Sequence, residues 1–178
     1  MTDKQYKMVL DWMRKIHQLE YAHRFESIFY SNAEKWIGIS AFVITTLVAF
    51  SYRFPSVENG FYESLPFFLK HNFFVPISST IAAILTGLLT FLKPSEKSET
   101  HKKAGSSYEK LRHRIEFIIT SEKLTEDEVT KKLEIIKDEW ESLDAINVSN
   151  RNFLNGKNKV KSFNKYPKEL DFLEDVQK

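Results

Sequence analysis

The chain has 178 residues, with 26 Lys plus Arg, 24 Asp plus Glu, a net charge of +2 and no cysteine. That length is one domain, or one domain with a tail. The balanced charge argues against a dedicated nucleic-acid binder, and the missing cysteines exclude disulfides, thiolate-ligated metals and a thiol nucleophile. The averages hide a division: residues 36–92 hold 4 of the 50 charges and nine of the 15 phenylalanines.

Residues 1–35 read as an amphipathic helix. Val9, Trp12, Ile16, Leu19 and His23 recur at steps of three and four, with Asp11, Arg14, Lys15 and Glu20 off that face. No Gly or Pro precedes Gly38, so the helix is expected to run on into the apolar segment. His23 reads as a packed histidine rather than a ligand.

Residues 36–52 form a run of 17 without a charge, and residues 72–92 a run of 21. A bilayer core of ~30 Å needs about 20 apolar residues at helical rise. Both runs are expected to cross a membrane, joined by a short external loop at 53–71. Trp36, Tyr52 and the aromatic group Tyr62, Phe67, Phe68, Phe73 and Phe74 suit headgroup depth. Arg24, Lys35, Lys93, Lys97, Lys102 and Lys103 flank the outer ends, against Arg53 and Lys70 in the loop. That bias places both termini in the cytoplasm. Pro76 falls in the first turn of the second run, where its missing N–H is tolerated.

Each span carries a stripe of small or hydroxylated residues: Gly38, Ala41, Thr45 and Ala49 in the first, Ser79, Ala83, Thr86 and Thr90 in the second. Such stripes let helices approach closely; the second could alternatively line a water path. Neither span has an ionisable residue, so neither a proton relay nor a charged selectivity ring is expected.

Residues 93–146 read as a helical hairpin. Lys93-Pro94 breaks the preceding helix. Tyr108, Leu111, Ile115 and Ile118 then form a coiled-coil-like seam, a candidate oligomer contact. After a turn at Ser121–Leu124, Thr125-Glu126-Asp127-Glu128 has the form of a capping box. The next helix carries Val129, Leu133, Ile136, Trp140 and Leu143 on one face. The two helices are expected to pair antiparallel and to pack with the N-terminal helix. Residues 147–178 read as a basic tail, with Arg151, Lys157, Lys159, Lys161, Lys165 and Lys168 uninterrupted by an acid. It is either solvated or held on anionic lipid, with a short terminal helix at Pro167–Val176.

No phosphate-binding loop, dinucleotide glycine fingerprint, HExxH or GxSxG is present, and His17, His23, His71, His101 and His113 lack metal-type spacing. The expectation is therefore no enzyme, no cofactor and no metal. Lys102, Lys103, Arg112, His113 and Arg114 make a modest basic region best explained as a solvated face. The expected fold is an all-α membrane protein: two transmembrane helices and a cytoplasmic helical bundle or hairpin.

Tyr21-Ala22-His23 ahead of the first span, and the stretch His101-Lys-Lys-Ala104-Gly-x-x-Tyr108-x-x-Leu111-Arg112-x-Arg114-Ile115-Glu116 after the second, resemble the SLATT proteins. These are the SMODS- and SLOG-associating two-transmembrane effectors of bacterial conflict systems. The resemblance covers roughly residues 5–145. It implies a homo-oligomeric effector of an antiphage, abortive-infection system, located in the inner membrane and acting by pore formation or disruption. Its implied partners are membrane lipid and a nucleotide-second-messenger synthase, sensor or reverse transcriptase encoded nearby, with no direct nucleic-acid binding. The competing expectation is a non-conducting scaffold that docks a partner enzyme at the membrane. Small-molecule transport is disfavoured, because neither span carries a charge or an interrupted binding helix.

Overall fold

A computed structural model describes residues 3–51, 70–121 and 124–167, with the side chains of residues 71 and 72 left aside. The described residues form five α-helices and no strand: α1 Asp3–Ser51, α2 His71–Leu92, α3 Pro94–Thr120, α4 Glu126–Glu141 and α5 Asn150–Ser162. The expected external loop lies outside the described residues, apart from Lys70 and the backbone of His71. The expected terminal helix likewise lies outside them beyond Pro167.

Local chemistry explains the boundaries. α1 is unbroken over 49 residues, as the absence of Gly and Pro before Gly38 leads one to expect. α2 stops where Lys93 adopts the left-handed region at φ 45°, its N–H bonding to Leu89 O. Pro94 then opens α3 at the position where its missing N–H costs nothing. α4 starts with the capping box: Thr125 accepts from the Glu128 N–H, and the Glu128 side chain accepts from the Thr125 N–H. α5 is capped by Ser149, whose hydroxyl accepts from the Asn152 N–H.

The helices divide into two units, residues 1–29 with 97–178 and residues 30–96. The first is a bundle. Its core joins Val9, Met13 and Ile16 of α1 to Tyr108, Leu111, Ile115 and Ile118 of α3 and Leu133 and Ile136 of α4. Trp12 meets Trp140 edge to face at 6.3 Å between ring centres, so the expected three-helix packing is present. The residues forecast as an oligomer contact are buried inside one chain, Ile115 at 0% exposure. This corrects the intermolecular role expected of them. Their spacing requires a covered face, and α1 and α4 supply the cover.

A second correction concerns residues 147–167, which do not form a free tail. α5 packs on α1 and buries Asn152, Gly156 and Val160. A Cβ on Gly156 would lie 2.6 Å from Gln18 O and 2.8 Å from Ala22 N. Only glycine admits so close a backbone approach, and no periodic apolar run advertises it.

In the second unit, α2 and the C-terminal part of α1 are long and apolar enough to cross a membrane. The 22 residues of α2 extend roughly 33 Å at helical rise.

Candidate functional site

Two arrangements merit a functional reading: a polar seam inside the bundle and the faces of the apolar helix pair.

The polar seam lies where α1 meets α3 and α5. His23 and His101 face each other with their Nδ1 atoms 2.9 Å apart, one donating and the other accepting. The His23 ring also stacks on Tyr108. Burial pushes His23 down to about 4, with His101 adding to the shift and Glu26 opposing it. Burial also lowers His101, against the pull of Glu26. On α1, Glu26 Oε2 accepts from the Ser149 hydroxyl at 2.7 Å, the Ser149 N–H at 3.3 Å and the Asn152 amide at 2.7 Å. Burial alone would raise the Glu26 carboxyl, but these three bonds outweigh it and hold it below its ordinary value.

Three residues before His23, Glu20 accepts from Arg112 Nε at 2.9 Å and pairs with Arg24 at 3.0 Å. Arg112 also reaches Glu116 at 2.9 Å, and Lys165 pairs with the same carboxylate. Burial opposes charge on Arg112, yet its bonds to Glu20 and the nearby Glu116 raise its affinity for the proton.

The stretch His101–Glu116 is thus the α1-facing edge of α3. His101 meets His23, Tyr108 stacks on it, Leu111 and Ile115 enter the core, and Arg112 locks to Glu20. Buried polar groups that satisfy one another fix how helices register; these bind α1, α3 and α5 together. Among the described residues, no cluster of three or more His, Asp or Glu side chains is placed to hold a metal ion.

The apolar pair has a sheltered and an open side. On α2, Val75 and Ala82 are buried and Ser78, Leu85 and Leu89 half-buried, a three–four repeat. On α1, Ala41 is buried, and Ile37, Gly38, Ile44 and Val48 are half-buried. Gly38 faces α2 without demanding glycine: a Cβ there would meet Leu89 Cδ1 at 4.0 Å, an ordinary van der Waals contact.

The sequence-derived stripes fall on this geometry unequally. Gly38 and Ala41 lie in the sheltered seam, whereas Thr45 and Ala49 are exposed. Ser79, Ala83, Thr86 and Thr90 are all exposed, one position off the seam. The Thr45, Thr86 and Thr90 hydroxyls donate to the carbonyls of Ala41, Ala82 and Thr86, at 2.8, 2.9 and 3.1 Å. A hydroxyl bonded to its own helix is compatible with lipid, with a second helix or with water. The remaining surface carries large apolar side chains, with Phe42 73% and Phe91 87% exposed.

Sequence reasoning missed Glu26, Asn152, Gly156 and the pairing of His101 with His23. The cap signal at Ser149 was the one local cue to α5. The chain matches no family model, no curated protein and no solved structure.

Proposed function

We propose that the protein is a membrane effector of a bacterial antiphage, abortive-infection system. In this reading α2 and residues 36–51 of α1 cross the inner membrane, with both termini cytoplasmic. Several copies assemble and let small solutes through. The observation that carries the proposal is the open side of the apolar pair. The exposed Phe42, Leu47, Ile84 and Phe91 suit lipid or further helices, because large apolar side chains left open in number mark membrane or interaction surfaces. The stripe of Ser79, Ala83, Thr86 and Thr90, left uncovered by α1, is the face on which copies would meet or conduct. Two spans are too few to enclose a pore, so homo-oligomerisation is part of the reading. The resemblance of residues 5–145 to the SLATT effectors supplies the biological setting and the partner classes given above.

Dye influx and loss of viability on expression in bacteria test the proposal. Wild-type protein should admit a membrane-impermeant dye. Thr86→Leu removes a hydroxyl and adds bulk in mid-span while staying compatible with lipid. If the stripe faces water, this variant should assemble normally and admit no dye; if the stripe packs copies together, it should lose assembly. Absence of influx from the wild-type protein, with normal membrane insertion, would refute permeabilisation. A non-conducting scaffold that docks a partner enzyme would then take its place, a reading with which hydroxyls bonded within their own helix are also compatible.

A further inference from the structure

Where α1 and α3 meet the chain entering α5 lies a cavity of about 420 Å³. Leu19 and His23 line it from α1, Tyr108 from α3, Asn147 from the segment between α4 and α5, and Asn150 and Phe153 from α5. His23 is 2% exposed and Tyr108 6% exposed, yet neither is fully engaged within the protein. His23 uses Nδ1 on His101, and its Nε2 is left. Among the described residues, neither that nitrogen nor the Tyr108 hydroxyl has a hydrogen-bond partner. Nor is either atom sealed from solvent: the buried side-chain atoms without a partner are Arg14 Nε and Gln18 Nε2 among the described residues. Both atoms therefore keep access to the surface, and the cavity is the opening that both side chains line. Polar groups of buried residues are nearly always paired, so two such atoms on one cavity call for a partner from outside the chain.

The lining defines that partner's chemistry. No charged side chain is among the described lining residues. Burial pushes His23 down to about 4 and the Tyr108 hydroxyl up, so both groups are neutral at neutral pH. An ion would give up water here for no counter-charge, at high cost; an uncharged molecule escapes that penalty. The Tyr108 hydroxyl can donate and accept, and so can the carboxamides of Asn147 and Asn150. Their complement is a molecule with a donor and an acceptor side by side, as on the edge of an amide. Leu19 and Phe153 add apolar surface, and the Tyr108 ring already stacks on His23 at 5.4 Å between centres, an environment that suits another flat ring.

We propose that this cavity binds a small uncharged aromatic molecule carrying an amide group, with the Tyr108 hydroxyl and His23 Nε2 as the recognising groups. Its volume lies within the roughly 300–1,000 Å³ of small-molecule sites. The site is built wholly from the bundle, so the proposal stands apart from membrane permeabilisation.

Equilibrium dialysis of the full chain in detergent against radiolabelled nicotinamide is the direct test. This probe is flat, neutral and too polar to collect in micelles. Saturable binding is expected, and nicotinate, its carboxylate counterpart, should not displace it. Tyr108→Phe keeps the ring and removes only the hydroxyl. It should weaken binding about fivefold, the worth of one hydrogen bond, and leave the melting temperature unchanged, because that hydroxyl has no partner among the described residues. Asn147→Ala, at an exposed position, should weaken binding more mildly. Asn158→Ala, exposed on α5 and outside the cavity, should leave it unchanged. Absence of saturable binding would overturn the site and leave a cavity that holds only water. So would equal displacement by nicotinate or wild-type affinity in Tyr108→Phe. A lower melting temperature in Tyr108→Phe would overturn it too, by giving the hydroxyl a structural role.

Discussion

The bundle and the apolar pair use the same helical periodicity and come to opposite ends. In the bundle, the three–four repeat of Tyr108, Leu111, Ile115 and Ile118 is covered by Val9, Met13, Ile16, Leu133 and Ile136. Its polar neighbours are locked in pairs such as Glu20 with Arg112. In the apolar pair, one narrow seam around Gly38, Ala41, Val75 and Ala82 is sheltered, while Phe42, Ile84 and Phe91 stay exposed. Under the proposed membrane reading, the contrast separates two solvents. A bundle in water must hide its apolar face within the chain; a pair of helices in lipid has no such need, because hydrocarbon is as apolar as leucine.

Substitutions with opposite results in the two regions sharpen this contrast. The largest effect is expected from Ile115→Asp, which places a carboxylate at a site of 0% exposure in the core. An unpaired buried charge costs several kcal/mol, so the bundle should lose its cooperative thermal transition by circular dichroism. Ile84→Asp, at a position 58% exposed, should instead spare the bundle and impair membrane insertion. A charge at mid-span costs about 2.5–3.5 kcal/mol, measurable as a soluble or degraded fraction. Cooperative unfolding of Ile115→Asp at the wild-type temperature would mean that the seam is not core.

Acid should weaken the bundle next. Burial, followed by the charges of Arg112 and Lys165, pushes His17 down to about 4; burial, followed by His101, does the same to His23. The unfolded chain takes up these protons near the ordinary value of 6.5, whereas the folded chain resists them to about 4. Stability contributed by the neutral rings is therefore present above pH 6.5 and lost as pH falls through 6.5 towards 4. Glu26, held below its ordinary value by Ser149 and Asn152 against burial, acts in the same direction. Its contribution is present above the ordinary carboxylate value and lost as pH falls through the lowered one. The bundle's melting temperature should fall between pH 7 and pH 4. His101→Asn, which removes one titrating ring, should flatten that slope relative to its own value at pH 7. A flat wild-type profile would contradict the burial of the histidines.

Two glycines give the smaller effects, with opposite sign. Gly156→Ala drives a methyl against the backbone of Gln18 and Ala22, and overpacking of this kind costs about 1–3 kcal/mol. The melting temperature should drop and α5 become sensitive to protease. Gly87→Ala in α2 meets nothing within 4 Å. It should be neutral, or stabilise the helix by about 0.5–1 kcal/mol. Equal losses at both positions would erase the distinction between a docked helix and an open one.

Much of the architecture is legible in the residues because it is local. The 36–52 and 72–92 runs, the break at Lys93-Pro94 and the Thr125–Glu128 cap depend on neighbours in the chain, and α1, α2, α3 and α4 follow from them. The periodicity of Tyr108, Leu111, Ile115 and Ile118 also says that this face is covered. It does not say by what, since α1 of the same chain and a second copy satisfy the pattern equally. Only the tertiary structure decides that α1 and α4 fill it. It alone brings His23 to His101 across 78 positions of sequence, seats Gly156 on the backbone of Gln18 and Ala22, and leaves Ser79, Ala83, Thr86 and Thr90 off the sheltered seam. Helical spacing fixes which residues share a face; which face meets which depends on the packing of helices distant in sequence, and no local pattern encodes that choice.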